Sequence, residues 1–147
     1  MKFFVVFQNK TFEKECAGDF LWAPKRSRNN RSLFHWTNMT LVHPGDIIFS
    51  IVKNRVISFD SALSFAFDSE IPDNLPKNEW HHLGWMVKAK YVLVENEIKI
   101  KEIIDELFPL LDDPKPFREN GCGNQGYLYQ IPREAGEYLS RIVKTKK

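Results

Sequence analysis

Two tryptophans flank a cluster of basic residues early in the chain. Trp22 and Trp36 stand on either side of four cations, which are Lys25, Arg26, Arg28 and Arg31. Indole rings can stack on a nucleobase, and Lys and Arg side chains can neutralise phosphates. This spacing indicates a surface that holds something flat and negatively charged. Two ordinary core tryptophans on either side of a solvated basic loop explain the pattern equally well.

The other residues that could carry out chemistry do not form a known catalytic set. Of the four histidines, His35, His43, His81 and His82, the last two are adjacent, so their side chains diverge on a strand or a helix. The sequence contains no HExxH, P-loop or GxSxG motif. We therefore predict a protein that is not an enzyme, with no metal and no cofactor. A small metal-dependent nuclease that uses His81, His82 and neighbouring carboxylates remains an alternative.

The composition favours a folded cytoplasmic protein. Twenty-one Lys and Arg against 19 Asp and Glu give a formal charge of +2, which does not indicate a general polyanion binder. Cys16 and Cys122 are far apart and outside any CxxC pair, so we expect both to be free. No apolar run approaches the roughly 20 residues that cross a bilayer, and we expect no membrane association. At 147 residues, the chain is expected to form a single domain over residues 1–147.

Local patterns predict most of the elements that must position these side chains. Phe3–Phe7 is typical of a buried central strand, and the segment TFEKECAG of a short helix. Ile47–Val52, a Lys53-Asn54 turn and a strand from Val56 onward predict a β-hairpin. The two prolines in residues 69–78 indicate an exposed loop.

The second half of the chain adds one long strand, one short strand and two helices. LGWMVKAKYVLV predicts a strand with Trp85, Val87, Ala89 and Tyr91 on one side. IKIKEIIDELFPLL predicts an amphipathic helix that ends at Pro109. A short strand at Tyr127–Ile131 precedes a helix that begins at Pro132. Strands in the middle and helices at the edges predict an α+β fold around a strongly curved sheet or small barrel.

Three segments resemble a known family. FLWAPK, HWTNMTLVHPGDIIFSIVKNRVI and GNQGYLY are similar to the EVE-like domains of the PUA/ASCH superfamily, relatives of YTH domains. Such domains occur as reader modules at the amino terminus of modification-dependent restriction endonucleases. The similarity runs from Phe3 to about Ile142. It implies a PUA-like pseudo-barrel of five or six strands with flanking helices, and an aromatic pocket that receives a base turned out of a nucleic acid.

The residues themselves support such a pocket. A base that is inspected for one methyl group must leave the stack and lie between flat apolar walls, with a few polar groups at its Watson–Crick edge. We predict that the four cations named above bind phosphates on either side of this base. The predicted pocket residues are Trp22, Trp36, Phe20 or Phe34 or Trp85 as a further wall, and Asn38, Ser50 and Gln125 as polar contacts.

Several functions are compatible with these patterns. The favoured one is a non-catalytic module that recognises a modified base, most simply a methylated base in DNA, by flipping it into an aromatic cage. Such a module would serve a restriction or defence system, with a nuclease or NTPase domain or subunit as its partner. An RNA-binding reader of the same fold is the alternative, followed by the nuclease described above and by an interaction protein without nucleic-acid affinity.

Overall fold

The computed structural model describes residues 1–75 and 82–145. It contains a curled sheet with flanking helices, so the α+β fold class predicted from the sequence is confirmed. The strands are β1 (Phe3–Phe7), β2 (Phe20–Pro24), β3 (Ile47–Val52), β4 (Arg55–Ala62), β5 (Phe67–Glu70), β6 (Leu83–Lys99) and β7 (Leu128–Ile131). The α-helices are α1 (Phe12–Gly18), α2 (Phe34–Thr37), α3 (Ile100–Leu107) and α4 (Arg133–Ile142).

The first strand lies inside the sheet, as its apolar sequence predicts. The strand order is β2-β6-β4-β3-β1-β7, and β5 pairs with β6. Strand β1 runs parallel to β3 and antiparallel to β7, so both of its edges are hydrogen-bonded. Its side chains alternate between two core clusters: Phe3 and Val5 belong to one, Phe4 and Val6 to the other. The sheet is therefore covered on both faces at this strand.

The predicted hairpin is confirmed, and its turn has a defined backbone conformation. Lys53 and Asn54 have positive φ angles of 51° and 58°, which are typical of the type I′ turn that connects twisted antiparallel strands. The second strand begins at Arg55, one residue earlier than predicted. The hairpin therefore has a two-residue turn that projects beyond the paired strands.

Strand β6 joins two parts of the sheet. Residues 84–88 pair with β2, and residues 89–99 pair with β4. Val87 and Ala89 are buried in the cluster against which Trp85 and Tyr91 also pack, which confirms the predicted face. This pairing places β2, and with it Trp22, at the end of the sheet.

The two core clusters lie on opposite sides of the sheet. One contains the apolar faces of the two longer helices, with Ile104 and Leu107 from α3 and Leu139 from α4. The other contains Trp36 and Met39, which come from α2 and from the 3₁₀ helix Asn38–Leu41 that follows it. The amphipathic helices therefore close one face, while the segment that carries Trp36 closes the other.

Some boundaries differ from the sequence prediction. Ser69 and Glu70 belong to β5 and not to a loop, because they pair with Gly84 and Leu83. The remainder of the predicted loop reaches residues 76–78, which lie outside the described residues. Pro109 lies within a 3₁₀ helix, Phe108–Leu110, that follows α3. Within the described ranges, no helix has the length and apolar character needed to cross a membrane.

Candidate nucleic-acid interface

A cavity of about 300 Å³ brings the two predicted tryptophans together. It lies where the end of β1, α1, β2, α2 and the segment before β7 meet. Pocket volumes of about 300 Å³ and above are large enough for small-molecule ligands. Its lining residues are Phe7, Asn9, Lys10, Thr11, Glu15, Trp22, Pro24, His35, Trp36, Leu75, Gly126 and Tyr127.

Both tryptophans are at once core residues and cavity walls. Trp22 is 3% exposed and packs in a small cluster with Phe20, Leu75 and Met86. Its indole Nε1 donates a hydrogen bond to the Ser69 carbonyl oxygen at 3.1 Å, which fixes the orientation of the ring. Trp36 is 9% exposed and packs against the face of the sheet that contains β1 side chains. The two interpretations of these tryptophans from the sequence are therefore compatible.

A buried glutamate holds this part of the cavity together. The Glu15 carboxylate accepts hydrogen bonds from the backbone N–H of Trp22 at 2.8 Å and from the Tyr127 hydroxyl at 2.5 Å. Its other oxygen accepts from Thr11 Oγ1 at 2.6 Å and from Gln8 Nε2 at 3.2 Å. The Glu15 carboxylate thus connects two residues of the cavity walls, Trp22 and Tyr127, with Thr11 at the rim. It also binds Gln8, which directly follows β1.

Burial and hydrogen bonding act in opposite directions on Glu15. Complete burial favours the neutral carboxyl, whereas the four donors favour the carboxylate. Burial dominates and raises the pKa of Glu15 to about 7. Burial also raises the pKa of Tyr127 well above its usual value and lowers that of His35. The neutral His35 ring accepts a hydrogen bond at Nδ1 from the Tyr127 backbone N–H at 3.1 Å.

A second buried carboxyl explains the position of Ser50, which does not line the cavity. Ser50 Oγ donates to Asp60 Oδ2 at 2.5 Å, and Ser58 Oγ donates to Asp60 Oδ1 at 2.7 Å. All three residues are buried, and desolvation raises the pKa of Asp60 to about 7. Ser50 therefore lies in the interior of the sheet, where its hydroxyl donates a hydrogen bond to the buried Asp60 carboxyl.

The other predicted pocket residues lie around the cavity and not in its lining. Phe20 is buried beside Trp22. Asn38 donates from Nδ2 to the Leu128 carbonyl oxygen at 3.0 Å, which ties the 3₁₀ helix to β7. Trp85 is half-buried beneath the Lys25 ammonium group, which lies 5.5 Å from its ring centroid. Gln125 is exposed and lines a neighbouring depression.

The basic loop, residues 25–33, begins and ends at the cavity. It leaves the lining at Pro24 and returns at His35. Lys25 is engaged by Asp68, with 2.6 Å between Nζ and Oδ1. The remaining predicted phosphate contacts are exposed: Arg26, Arg28 and Arg31. The loop therefore carries three exposed arginines between two segments that line the cavity.

Sequence reasoning missed several lining residues. Glu15 appears as one more charge on a short helix, and Leu75 as part of a polar loop. The sequence presents His35 only as a candidate metal ligand or general base. Among the described residues, no group of three or more His, Cys, Asp and Glu side chains could hold a metal ion. His81 lies outside the described residues.

Comparisons with known proteins identify the fold. No protein-family model matches the sequence, and no curated protein matches it. A hypothetical protein from Leishmania major has a similar structure, with a TM-score of 0.63 and 13% identity over 97% of this chain and 94% of that one. The Pho92 YTH domain in complex with m6A has a TM-score of 0.55 and 15% identity, over 99% of this chain and 87% of that one.

A third structure gives the same result. The YTH domain of the Zygosaccharomyces rouxii MRB1 protein, in complex with N6-methyladenosine RNA, has a TM-score of 0.56 and 12% identity over 99% of this chain and 88% of that one. The chain has a YTH-like fold. At these identities, the YTH-like fold is what the comparisons establish. The predicted restriction-endonuclease context stays a prediction.

Proposed function

We propose that this chain is a non-catalytic reader of a modified base, which it holds in the cavity between Trp22 and Trp36. The observation that carries the proposal is the pair of indole walls on one cavity of about 300 Å³. Stacking on an aromatic side chain contributes about 1–3 kcal/mol per base. Because a base inside a duplex cannot reach such walls, the ligand is a base in a single strand or one turned out of its stack.

The modification that fits best is a methyl group on a neutral base. Two of the similar structures are YTH domains in complex with m6A and with N6-methyladenosine RNA, which makes N6-methyladenine the first ligand to test. Cation–π attraction does not select a neutral base, so discrimination depends on apolar contact with the methyl group. One buried methyl group contributes about 1 kcal/mol, or roughly fivefold in affinity.

The rim of the cavity supplies polar groups for the edge of the base. Thr11 Oγ1 donates its proton to Glu15, so towards a ligand it acts as an acceptor. Asn9 Oδ1 accepts from the Lys53 backbone N–H at 2.7 Å, so its amide nitrogen is the group left to donate. Together they offer one acceptor and one donor at the mouth of the cavity, a combination that suits the edge of an adenine.

RNA and DNA are both candidates for the polymer. The two YTH-domain complexes support RNA, whereas the resemblance to reader modules of restriction endonucleases supports DNA. The exposed arginines of the basic loop would contact phosphates in either case. If the ligand is DNA, a nuclease or NTPase domain or subunit would supply the activity that acts on it.

Fluorescence-polarisation titrations test the proposal. The ligands are matched oligonucleotides of single-stranded RNA, single-stranded DNA and duplex DNA, each with adenine or N6-methyladenine and with cytosine or 5-methylcytosine. We expect one modified base to bind about fivefold more tightly than its unmodified form. Equal affinity for all modified and unmodified pairs would contradict the proposal. Cleavage of any ligand with Mg²⁺ or Mn²⁺ present would instead support the nuclease alternative.

A further inference from the structure

Four cationic side chains gather around a depression far along the chain from the basic loop. This basic cluster consists of Lys53 and Arg55 from the β3–β4 hairpin and Lys99 and Lys101 from the junction of β6 and α3. The depression has a volume of about 280 Å³, and all four residues are exposed. Arg55 has a long contact of 3.8 Å with Glu97. The cluster therefore carries a clear excess of positive charge.

The depression is held in shape by Asn54, which lies at the tip of the hairpin. Its carbonyl oxygen accepts a hydrogen bond from the Ile100 backbone N–H at 2.9 Å, at the start of α3. Its Oδ1 accepts from the Gly123 backbone N–H at 3.0 Å. A methyl group added at Gly121 would lie 3.0 Å from the Lys101 Cα, so this loop packs directly on the start of α3. Three segments distant in sequence are thus fixed together.

A second depression connects the basic cluster with the cavity. It has a volume of about 470 Å³, and its lining includes Asn54, which it shares with the basic depression. It also shares Phe7, Asn9 and Gly126 with the cavity between the tryptophans. The Arg118 guanidinium lines it as well, with Nε 3.2 Å from Asn124 Oδ1. Each depression therefore shares lining residues with the next, and we call this series the groove, which is apolar at one end and cationic at the other.

We propose that the nucleic-acid strand on one side of the bound base follows this groove, with its phosphates on Lys53, Arg55, Lys99 and Lys101. The inference rests on the proposed function, because the bound base fixes where the strand starts. A phosphodiester backbone suits a groove with amide side chains along its middle and ammonium groups at its end. The basic loop then serves the strand on the other side of the base. Each side of the base thereby has its own set of cations.

The double substitution Lys99→Gln/Lys101→Gln tests this path. Glutamine keeps the Cγ atom that packs against Gly121 but removes the charge. Lys88→Gln/Lys90→Gln is the matched control, because both lysines are exposed and neither lines the groove. Circular dichroism and the melting temperature confirm that both variants fold.

Three ligands are compared: the modified nucleoside, and two single-stranded nonamers with the modified base near the 5′ or the 3′ end. We expect the cluster variant to bind one nonamer about threefold to tenfold more weakly than the control, as for two exposed ion pairs. The slope of log K against log salt should fall by about 1.4, or 0.7 for each phosphate. The other nonamer and the nucleoside should bind as they do to the control.

Two results would overturn the path: equal binding of both nonamers to the cluster variant and to the control, or an equal loss for the nucleoside. Failure of the proposed function looks different, because unmodified and modified nonamers would then bind wild-type protein equally. The first comparison is between two protein variants on one ligand, and the second is between two ligands on one protein. The strand path and the modified-base preference can therefore be tested independently of each other.

Discussion

The cavity and the basic loop meet at Pro24 and His35, yet they are built in opposite ways. The cavity walls are buried and connected by hydrogen bonds between residues far apart in the chain, such as Tyr127 and Glu15. The loop is held mainly by its own turn, in which the Ser27 N–H donates to the Arg31 carbonyl oxygen at 2.7 Å. Fixed walls suit discrimination between bases that differ by a methyl group. Exposed charges suit attraction that does not depend on sequence.

Removal of an indole wall of the cavity should weaken binding of the modified oligonucleotide more than any change in the basic loop. Trp36→Ala is expected to weaken binding of the modified oligonucleotide by about tenfold or more, because stacking on one aromatic contributes about 1–3 kcal/mol. The substitution also destabilises the fold by about 3–5 kcal/mol, since the side chain packs in the core. Fluorescence polarisation gives the affinity, and urea denaturation gives the free energy of unfolding.

Trp36→Phe separates the two effects, because phenylalanine keeps a flat wall in a smaller volume. It should retain most of the affinity. The same pair of substitutions at Trp22 should give the same ranking. A folded Trp36→Ala protein that binds like the wild type would show that the cavity does not hold the base.

The buried acid should make the stability of the cavity depend on pH. The pKa of Glu15 is raised from 4.5 to about 7, so the folded state binds its proton more tightly than the unfolded state does. The stability from this group is complete below pH 4.5 and is lost as the pH rises through 7. We expect Glu15 alone to lower the free energy of unfolding by about 3 kcal/mol between pH 4.5 and pH 8, at 1.36 kcal/mol per pKa unit.

Glu15→Gln should remove this part of the pH dependence, as measured by urea denaturation across the range. Asp60, whose pKa is also raised to about 7, should leave a residual slope of the same sign. Glu13→Gln, on the exposed side of α1, is the matched control and should follow the wild-type curve. Parallel curves for all three proteins would contradict the assigned role of Glu15.

Removing the charges of the basic loop should weaken the electrostatic attraction to phosphates. It should not change the preference for the modified base over the unmodified one. Arg26→Gln/Arg28→Gln/Arg31→Gln is expected to lower the salt slope for a single strand by about 2, at 0.7 for each phosphate. The ratio of affinities for modified and unmodified oligonucleotides should stay the same. The matched control is Lys14→Gln/Lys88→Gln/Lys90→Gln, since these three lysines are exposed and lie outside the loop. A lost ratio with an unchanged slope would place the loop in the pocket instead.

The smallest effect on binding is expected for Ser50→Ala. Ser50 donates to Asp60 in the interior of the sheet, outside the cavity lining. The variant should bind the modified oligonucleotide within about twofold of wild type and lose about 1 kcal/mol of stability, as for one buried hydrogen bond. A tenfold loss of affinity in a stable Ser50→Ala protein would instead show that Ser50 contributes to binding of the base.

Patterns within short stretches of the sequence were sufficient to predict several strands and helices. The apolar run of β1 and the helical spacing of α3 and α4 each correspond to an observed element. Trp22 and Trp36 could be paired from their spacing around the basic residues. Their shared cavity then follows from the pairing of β2 with β6 and the packing of α2 on the sheet.

Long-range contacts determine what the sequence could not show. Glu15 lies on a short helix with a second glutamate, a pattern typical of a solvated face, and its burial depends on a tyrosine 112 residues away. The position of Ser50 in the sheet interior could not be predicted for a related reason. Residues 47–51 are all buried, so no alternation distinguishes the side that faces a cavity from the side that faces the interior.

The contact between Glu15 and Tyr127 also has a consequence for protein synthesis. Strand β1 is synthesised well before β7, which is one of its two neighbours in the sheet. Until Tyr127 emerges, the carboxylate beneath Trp22 lacks one of its donors and the cavity lacks a wall. A nascent or prematurely terminated chain that lacks Tyr127 therefore has an incomplete cavity, in which Glu15 is buried with one hydrogen-bond donor fewer.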